Sequence, residues 1–143
     1  MELILWRHAD AEDGADDMAR RLTPKGEKQA AAMAKWLRAH LPRDYTVLAS
    51  PATRAQQTAA ALGAKIVTDK ALAPGASPSA IAKAAKSHSG TVIVVGHQPD
   101  LGSAAAALVA RAHADWPIEK GAIWWLAGEA PVRIKAVVSP DLL

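Results

Sequence analysis

The sequence has 143 residues, half of them hydrophobic, and a formal net charge of +3. A chain of this length is expected to form one domain, residues 1–143, with a sizeable core. It contains no cysteine, which excludes disulfides, thiolate catalysis and cysteine-ligated zinc. No stretch approaches the roughly 20 apolar residues of a membrane span, and the early Glu2 and Arg7 do not fit a signal peptide. We therefore expect a cytoplasmic protein with no membrane partner.

Six short apolar or alternating runs predict β-strands. In chain order they are 3–6, 46–49, 65–68, 91–95, 122–126 and 132–138. Four amphipathic or alanine-rich segments between them predict helices. Their starts are marked by a capping residue or a proline at Thr23-Pro24, Ser50-Pro51, Ser77 or Ser79, and Pro99. Their expected ends lie near Pro42, Gly63, Lys86 and Ala112.

The order of these elements predicts the fold class. Strands alternate with helices through the first four strands, and two consecutive strands around Gly128-Glu129 follow. Such alternation is typical of an α/β protein with a parallel sheet and helices on both faces. We expect a three-layer α/β/α sandwich with a mostly parallel central sheet, an antiparallel hairpin at one side and no large insertions.

An acidic segment follows the first strand and contains Asp10, Glu12, Asp13, Asp16 and Asp17. It lacks the ligand spacing of a calcium loop and contains no histidine. We interpret it as a solvated surface loop rather than a metal site.

Basic side chains gather where the predicted strands end. Arg7 and His8 follow the first strand, Arg54 follows the second, and His97 follows the fourth, with Arg20 on the loop after the first. Ligands of α/β proteins bind outside the carboxyl ends of the strands, and guanidinium groups and helix N-termini bind phosphate oxygens. We therefore predict a phosphoryl-binding site. An imidazole can act as a nucleophile, and His8 is the best-placed candidate, with His97 able to stabilise the transition state.

These residues resemble the signatures of the histidine phosphatase superfamily, which has the phosphoglycerate-mutase-like fold. The resemblance rests on Arg7-His8 after a short strand, on Ser50-Pro51-Ala52-Thr53-Arg54-Ala55-Gln56-Gln57-Thr58-Ala59, and on Gly96-His97. The short chain, Asp10-Ala11, Arg20-x-Leu-Thr and His97-x-Pro-x-Leu-Gly are similar to the SixA-type phosphohistidine phosphatases within it.

The resemblance implies roles for five residues. His8 would be phosphorylated transiently, and Arg7, Arg54 and His97 would hold the phosphoryl oxygens. Arg20 would be an additional ligand, although it or Arg21 could instead pair with the acidic loop. No metal or cofactor would be required. The expected partner is a phosphorylated protein, such as a phosphotransfer domain or another phosphohistidine carrier, and we expect a monomer that binds no nucleic acid.

Two features depart from the family pattern. Ala9 stands where the family usually has glycine, so the backbone there must accommodate a methyl group. The region 70–75, where larger ester-cleaving members carry a glutamate, has no carboxylate. An alkoxide leaving group needs a proton in the transition state, whereas the nitrogen of phosphohistidine leaves more easily. The sequence thus favours a P–N substrate, with Asp10, Glu12 or Asp69 as possible general acids.

Two other functions stay open at this point. One is a small-molecule phosphomonoesterase of the same superfamily, acting on a sugar phosphate or similar compound. The other is a non-catalytic module that binds phosphate or a phosphopeptide, which the complete set of motifs argues against.

Overall fold

A six-stranded sheet forms the centre of the protein in a computed structural model that describes all residues, 1–143. The strands are β1 (Glu2–Arg7), β2 (Tyr45–Ala49), β3 (Ile66–Thr68), β4 (Thr91–Gly96), β5 (Ile123–Ala127) and β6 (Arg133–Val138). Their order across the sheet is β3-β2-β4-β1-β5-β6. The first four run parallel, whereas β5 and β6 are antiparallel additions on one side. The predicted sheet and hairpin are confirmed.

Four helices cover the two faces of the sheet. They are α1 (Pro24–His40), α2 (Thr53–Ala60), α3 (Pro78–Lys86) and α4 (Asp100–Ala110). The Thr23 side chain accepts the amide of Gly26 and the Ser77 side chain accepts the amide of Ala80, so both act as N-caps as predicted. None of the helices has the length and hydrophobicity needed to span a bilayer.

The side chains of β1 alternate between two separate hydrophobic cores. Leu3 and Leu5 pack with residues of α3 and α4, while Ile4 and Trp6 pack with residues of α1 and α2. Successive side chains of a strand point to opposite faces, so one central strand serves both layers. This arrangement is the predicted three-layer α/β/α sandwich.

The start of α2 differs from the prediction. The helix begins at Thr53 behind Ala52, which provides no side-chain cap, and it ends at Ala60 rather than near Gly63. The Ser50 hydroxyl is not an N-cap because it contacts a histidine imidazole at the neighbouring strand end. Helix α4 likewise ends at Ala110, two residues before the predicted end, because Arg111 adopts a left-handed conformation with φ of 52°.

Candidate active site

The carboxyl ends of β1, β2 and β4 bring three predicted segments together. Arg7, the last residue of β1, pairs in register with Gly96, the last residue of β4. His8 and His97 therefore follow adjacent positions, and their ring centroids lie 5.3 Å apart. Arg54 reaches the same edge from the first turn of α2, which follows β2.

A pocket of about 220 Å³ lies at this edge. Its walls are formed by nine residues: Arg7, His8, Ala11, Arg20, Arg54, Pro74, His97, Gln98 and Lys120. All five predicted site residues are among them. Ala11 and Gln98 lie within the quoted motifs but were given no role, and Pro74 and Lys120 were not predicted to line the site. We call Arg7, His8, Arg54 and His97 the pocket floor, and the more exposed Arg20 and Lys120 the pocket rim.

His8 is a buried, neutral imidazole with a defined tautomer. Its Nδ1 lies 2.8 Å from the carbonyl oxygen of Ala9. A carbonyl can only accept, so Nδ1 carries the proton and Nε2 keeps its lone pair. Burial, opposed by the hydrogen bond to Ala9 and assisted by the charges of nearby arginines, lowers the pKa of His8 to about 4. Near neutral pH the ring is therefore available as a nucleophile.

His97 is held by the Ser50 hydroxyl. Its Nε2 lies 2.8 Å from Ser50 Oγ, which already accepts the amide of Ala52. The other ring nitrogen, Nδ1, is buried and has no partner in the protein. In the tautomer in which the Ser50 hydroxyl donates to Nε2, Nδ1 carries the ring proton. Burial, together with the smaller effects of His8 and Arg54, lowers the pKa of His97 to about 3. A neutral ring in this tautomer offers one N–H donor.

Arg7 is oriented by a loop that sequence reasoning missed. Its Nη1 donates to the carbonyl oxygen of Ile118 at 2.8 Å. The neighbouring Gly121 donates its amide to the His8 carbonyl and accepts the Trp6 indole N–H at 3.1 Å. The segment between α4 and β5 thus holds the first motif through its main chain, and Gly121 has a φ of 74°, a conformation that favours glycine. Desolvation lowers the pKa of Arg7, with the charge of Glu119 opposing.

Arg54 is oriented by the acidic loop. Its Nη1 donates to the Asp17 carbonyl oxygen at 2.6 Å, and its Nη2 lies 3.1 Å from Asp17 Oδ2. Thr58 connects this helix to the first motif, because its hydroxyl donates to the Arg54 carbonyl and accepts the Ala9 amide. The remaining nitrogen of the guanidinium group, Nε, is buried without a partner.

Asp17 also binds Arg20. Its Oδ1 accepts from Arg20 Nη1 at 3.1 Å, and Arg20 Nε donates to the Glu12 carbonyl at 2.6 Å. Hydrogen bonds from Arg20 and Arg54 lower the pKa of Asp17. Arg20 therefore does both things considered from the sequence: it lines the pocket and it pairs with the acidic loop. The loop is exposed as predicted, and it also contains a 3-10 turn, Asp17–Ala19, whose first residue bridges two arginines.

Three unpartnered nitrogen atoms belong to residues that line the pocket. They are Nε of Arg7, Nε of Arg54 and Nδ1 of His97. Buried polar groups are normally hydrogen-bonded, so three unpartnered nitrogens in residues near adjacent strand ends are unusual. A tetrahedral oxyanion carries the acceptors and the negative charge that would complement them.

The candidate general acids lie outside the pocket walls. Asp10 accepts from Thr23 Oγ1 at 2.7 Å and from Lys120 Nζ at 2.9 Å, and these bonds lower its pKa. Asp69 Oδ1 caps the turn at Ala71, and Glu12 uses its carbonyl to hold Arg20. No carboxylate is among the nine lining residues, and no group of three or more His, Asp or Glu side chains is arranged to hold a metal ion.

The methyl group of Ala9 is accommodated without exposure to solvent. Ala9 is fully buried and packs in a small cluster with Leu22 and Ala30. Its methyl group thus lies in a cluster that draws on α1 and the loop before it.

The sequence and the fold are similar to those of known proteins. The family model of the histidine phosphatase superfamily (branch 1) matches residues 3–74. An uncharacterized protein of Mycobacterium tuberculosis is 36% identical over 116 residues, covering 76% of this chain and 73% of the relative. The phosphohistidine phosphatase SixA of Escherichia coli is 39% identical over 64 residues, covering 44% of this chain and 40% of that protein. A solved structure of the protein histidine phosphatase SixA complexed with tungstate superposes with a TM-score of 0.88 at 25% identity and covers 99% of both chains.

The class of protein is therefore a phosphatase, a hydrolase of phosphoric monoesters, with a phosphoglycerate-mutase-like fold. More narrowly, the chain belongs to the histidine phosphatase superfamily, and its whole length is similar in structure to SixA.

Proposed function

We propose that this protein is a phosphohistidine phosphatase that removes the phosphoryl group from a histidine of a signalling or phosphotransfer protein. One observation carries the proposal: the pocket combines a neutral His8 imidazole and three guanidinium groups with no carboxylate among its lining residues. Such a pocket can accept a phosphoryl group but offers no acid to an ester oxygen.

In the first step, the lone pair on His8 Nε2 attacks phosphorus. The P–N bond of the substrate breaks, and its electron pair returns to the substrate imidazole, which takes up a proton from solvent. Arg7, Arg54 and the Nδ1–H of His97 bind the phosphoryl oxygens, with Arg20 above them. Fixed donors stabilise charge in the transition state without reorganising.

In the second step, water attacks the phosphorus of phosphorylated His8. The P–N bond to Nε2 breaks, inorganic phosphate leaves, and the attacking water loses a proton to solvent. His8 returns to its neutral form because burial and three nearby cations disfavour its protonation. The same donors hold the phosphoryl group in both steps, so no additional group is required.

The absence of a lining carboxylate favours nitrogen over oxygen as the leaving atom. An alkoxide requires protonation as it leaves, and the ionised Asp10 is engaged with Thr23 and Lys120. The imidazole of phosphohistidine is a better leaving group. The similarity to the E. coli phosphohistidine phosphatase and to the tungstate-bound structure supports this choice, since tungstate is a tetrahedral oxyanion.

The size of the pocket supports a protein substrate. A volume of about 220 Å³ is below the usual ~300–1,000 Å³ of pockets that enclose a small ligand. A phosphorylated side chain would enter the pocket while the rest of the carrier stays outside.

A hydrolysis panel tests the proposal. The purified protein would be given a histidine-phosphorylated carrier protein, p-nitrophenyl phosphate and a sugar phosphate, each with and without a chelator. We expect the phosphohistidine protein to be hydrolysed fastest, with no effect of chelator. Faster turnover of either ester would instead identify a small-molecule phosphomonoesterase, and no turnover of any substrate would indicate a binding module.

A further inference from the structure

The rim residue Lys120 is a cation that the phosphoryl chemistry does not need. The floor already supplies Arg7 and Arg54, and Arg20 lies at the rim. A phosphoryl group brings at most about two negative charges, so these three guanidinium groups suffice for it. Lys120 nevertheless lines the pocket, and its side chain is 52% exposed.

The main chain on both sides of Lys120 is fixed to the nucleophile's strand. Ile118 accepts from Arg7 Nη1, and Gly121 donates its amide to the His8 carbonyl at 3.2 Å. Lys120 lies between these two anchors. The backbone position of Lys120 is therefore set relative to His8, as expected for a residue that binds part of a substrate at the pocket mouth.

The side chain of Lys120 is held by a carboxylate that is itself anchored. Lys120 Nζ lies 2.9 Å from Asp10 Oδ1. Asp10 is fixed by two hydrogen bonds. Its main-chain amide donates to Gln29 Oε1 at 2.9 Å, and its Oδ2 accepts from the Thr23 hydroxyl. An exposed ion pair of this kind contributes little to stability, so Lys120 can exchange Asp10 for another carboxylate at little cost.

We propose that Lys120 binds a carboxylate of the protein substrate next to its phosphohistidine, so that the enzyme prefers phosphohistidines with acidic flanking residues. The proposal rests on the proposed function. The pocket holds little more than the phosphorylated side chain, so a flanking residue of the substrate lies outside it, at the level of Lys120. The ammonium group is the exposed cation there, and its charge complements an acidic side chain.

The chain offers a matched control. Lys135 on β6 forms a similar exposed pair with Glu2, with Nζ 3.1 Å from Oε1, and its side chain is 46% exposed. Lys135 does not line the pocket. A Lys135→Met variant removes the same charge and a similar ion pair outside the pocket, together with the contact of Lys135 Nζ over the Trp125 ring at 4.6 Å. It therefore reports the effect of losing a surface lysine elsewhere.

The test compares two phosphohistidine peptides of equal length, one flanked by glutamates and the other by glutamines. We expect the unmodified protein and Lys135→Met to hydrolyse the glutamate peptide with a kcat/KM about 3- to 5-fold higher, through a lower KM. Lys120→Met should bring this ratio to about one. An unchanged ratio in Lys120→Met, an equal loss in Lys135→Met or no preference in the unmodified protein would overturn the proposal. If neither peptide is hydrolysed while p-nitrophenyl phosphate is, the proposed function fails and this inference fails with it.

Discussion

The pocket floor and the pocket rim are built in different ways. The floor groups follow strand ends or the first turn of a helix, and His8, Arg54 and His97 are at most 8% exposed. The rim groups Arg20 and Lys120 come from loops, with side chains 25% and 52% exposed. Each rim cation is paired with a carboxylate, Asp17 or Asp10, whereas three floor residues keep one unpartnered N–H donor or ring nitrogen each.

This contrast separates chemistry from recognition. Buried, unpartnered donors interact strongly with an anion because water does not compete for them. Exposed, paired cations contribute less because solvent and their own partners screen them. Substitutions in the floor should therefore affect turnover strongly, and substitutions at the rim should change substrate preference modestly.

The largest expected effect comes from Arg54. Arg54→Ala should lower kcat/KM for a phosphohistidine protein by about 100-fold or more, since it removes a preorganised donor from the transition state. Arg54→Lys keeps the charge but loses the fork that contacts Asp17, and should still lose about 10-fold. Steady-state kinetics and circular dichroism would measure activity and folding. If the activity of Arg54→Ala stays within a few fold of the unmodified protein, Arg54 does not bind the phosphoryl group in the transition state.

Asp17 joins the two regions, and its substitution should have an intermediate effect. Asp17→Asn leaves the main-chain contact to Arg54 but removes the charge that aligns Arg54 and Arg20. We expect kcat to fall about 10-fold, with little increase in KM because an anionic competitor for the same arginines is also removed. Kinetics of Asp17→Asn beside Asp16→Asn would test this. An equal effect in both variants would show that only the charge of the loop matters.

The last expected effect is on the free energy of unfolding, and on how it changes with pH, rather than on turnover. The fold lowers the pKa of His8 to about 4 and of His97 to about 3, from an ordinary value near 6.5. Below about pH 6.5 the unfolded chain binds protons that the folded floor excludes, so stability falls as pH decreases through this window. Urea unfolding between pH 7 and pH 4 should show a loss of several kcal/mol, on the order of 3 kcal/mol for each of the two histidines.

A matched variant attributes this loss to the floor. His97→Asn should lose part of the slope between pH 7 and pH 4, whereas a slope unchanged by this substitution would place its origin elsewhere.

Much of the floor could be predicted because its signals are local. A buried apolar run such as Leu3–Trp6 or Thr91–Val95 predicts a strand, and parallel strands bring their carboxyl ends to one edge. The groups that orient the floor could not be predicted. Ile118 acts through a main-chain carbonyl, which leaves no mark on residue type. Gly121 is marked only as a glycine with a φ of 74°, and a turn glycine by itself does not indicate a contact with His8. Asp17 looked like one of several solvated acids, and Ser50 looked like a helix cap.

The fold could be predicted more fully than the loops for the same reason. The spacing of apolar residues along the chain specifies the strands and helices. The rim instead depends on contacts between residues far apart in the chain, such as Lys120 with Asp10. The environment of Ala9 could not be predicted either, because its methyl group packs against Leu22 and Ala30, which are distant in sequence.

The most direct test of the account is to identify the phosphorylated residue during turnover. The protein would be mixed with a phosphohistidine substrate, quenched in alkali to preserve P–N bonds, and mapped by phosphorus NMR and mass spectrometry. The account predicts a transient phosphoryl group on His8 that forms and decays at rates compatible with turnover, and none in His8→Ala. Phosphate on another residue, or full turnover by His8→Ala, would contradict it.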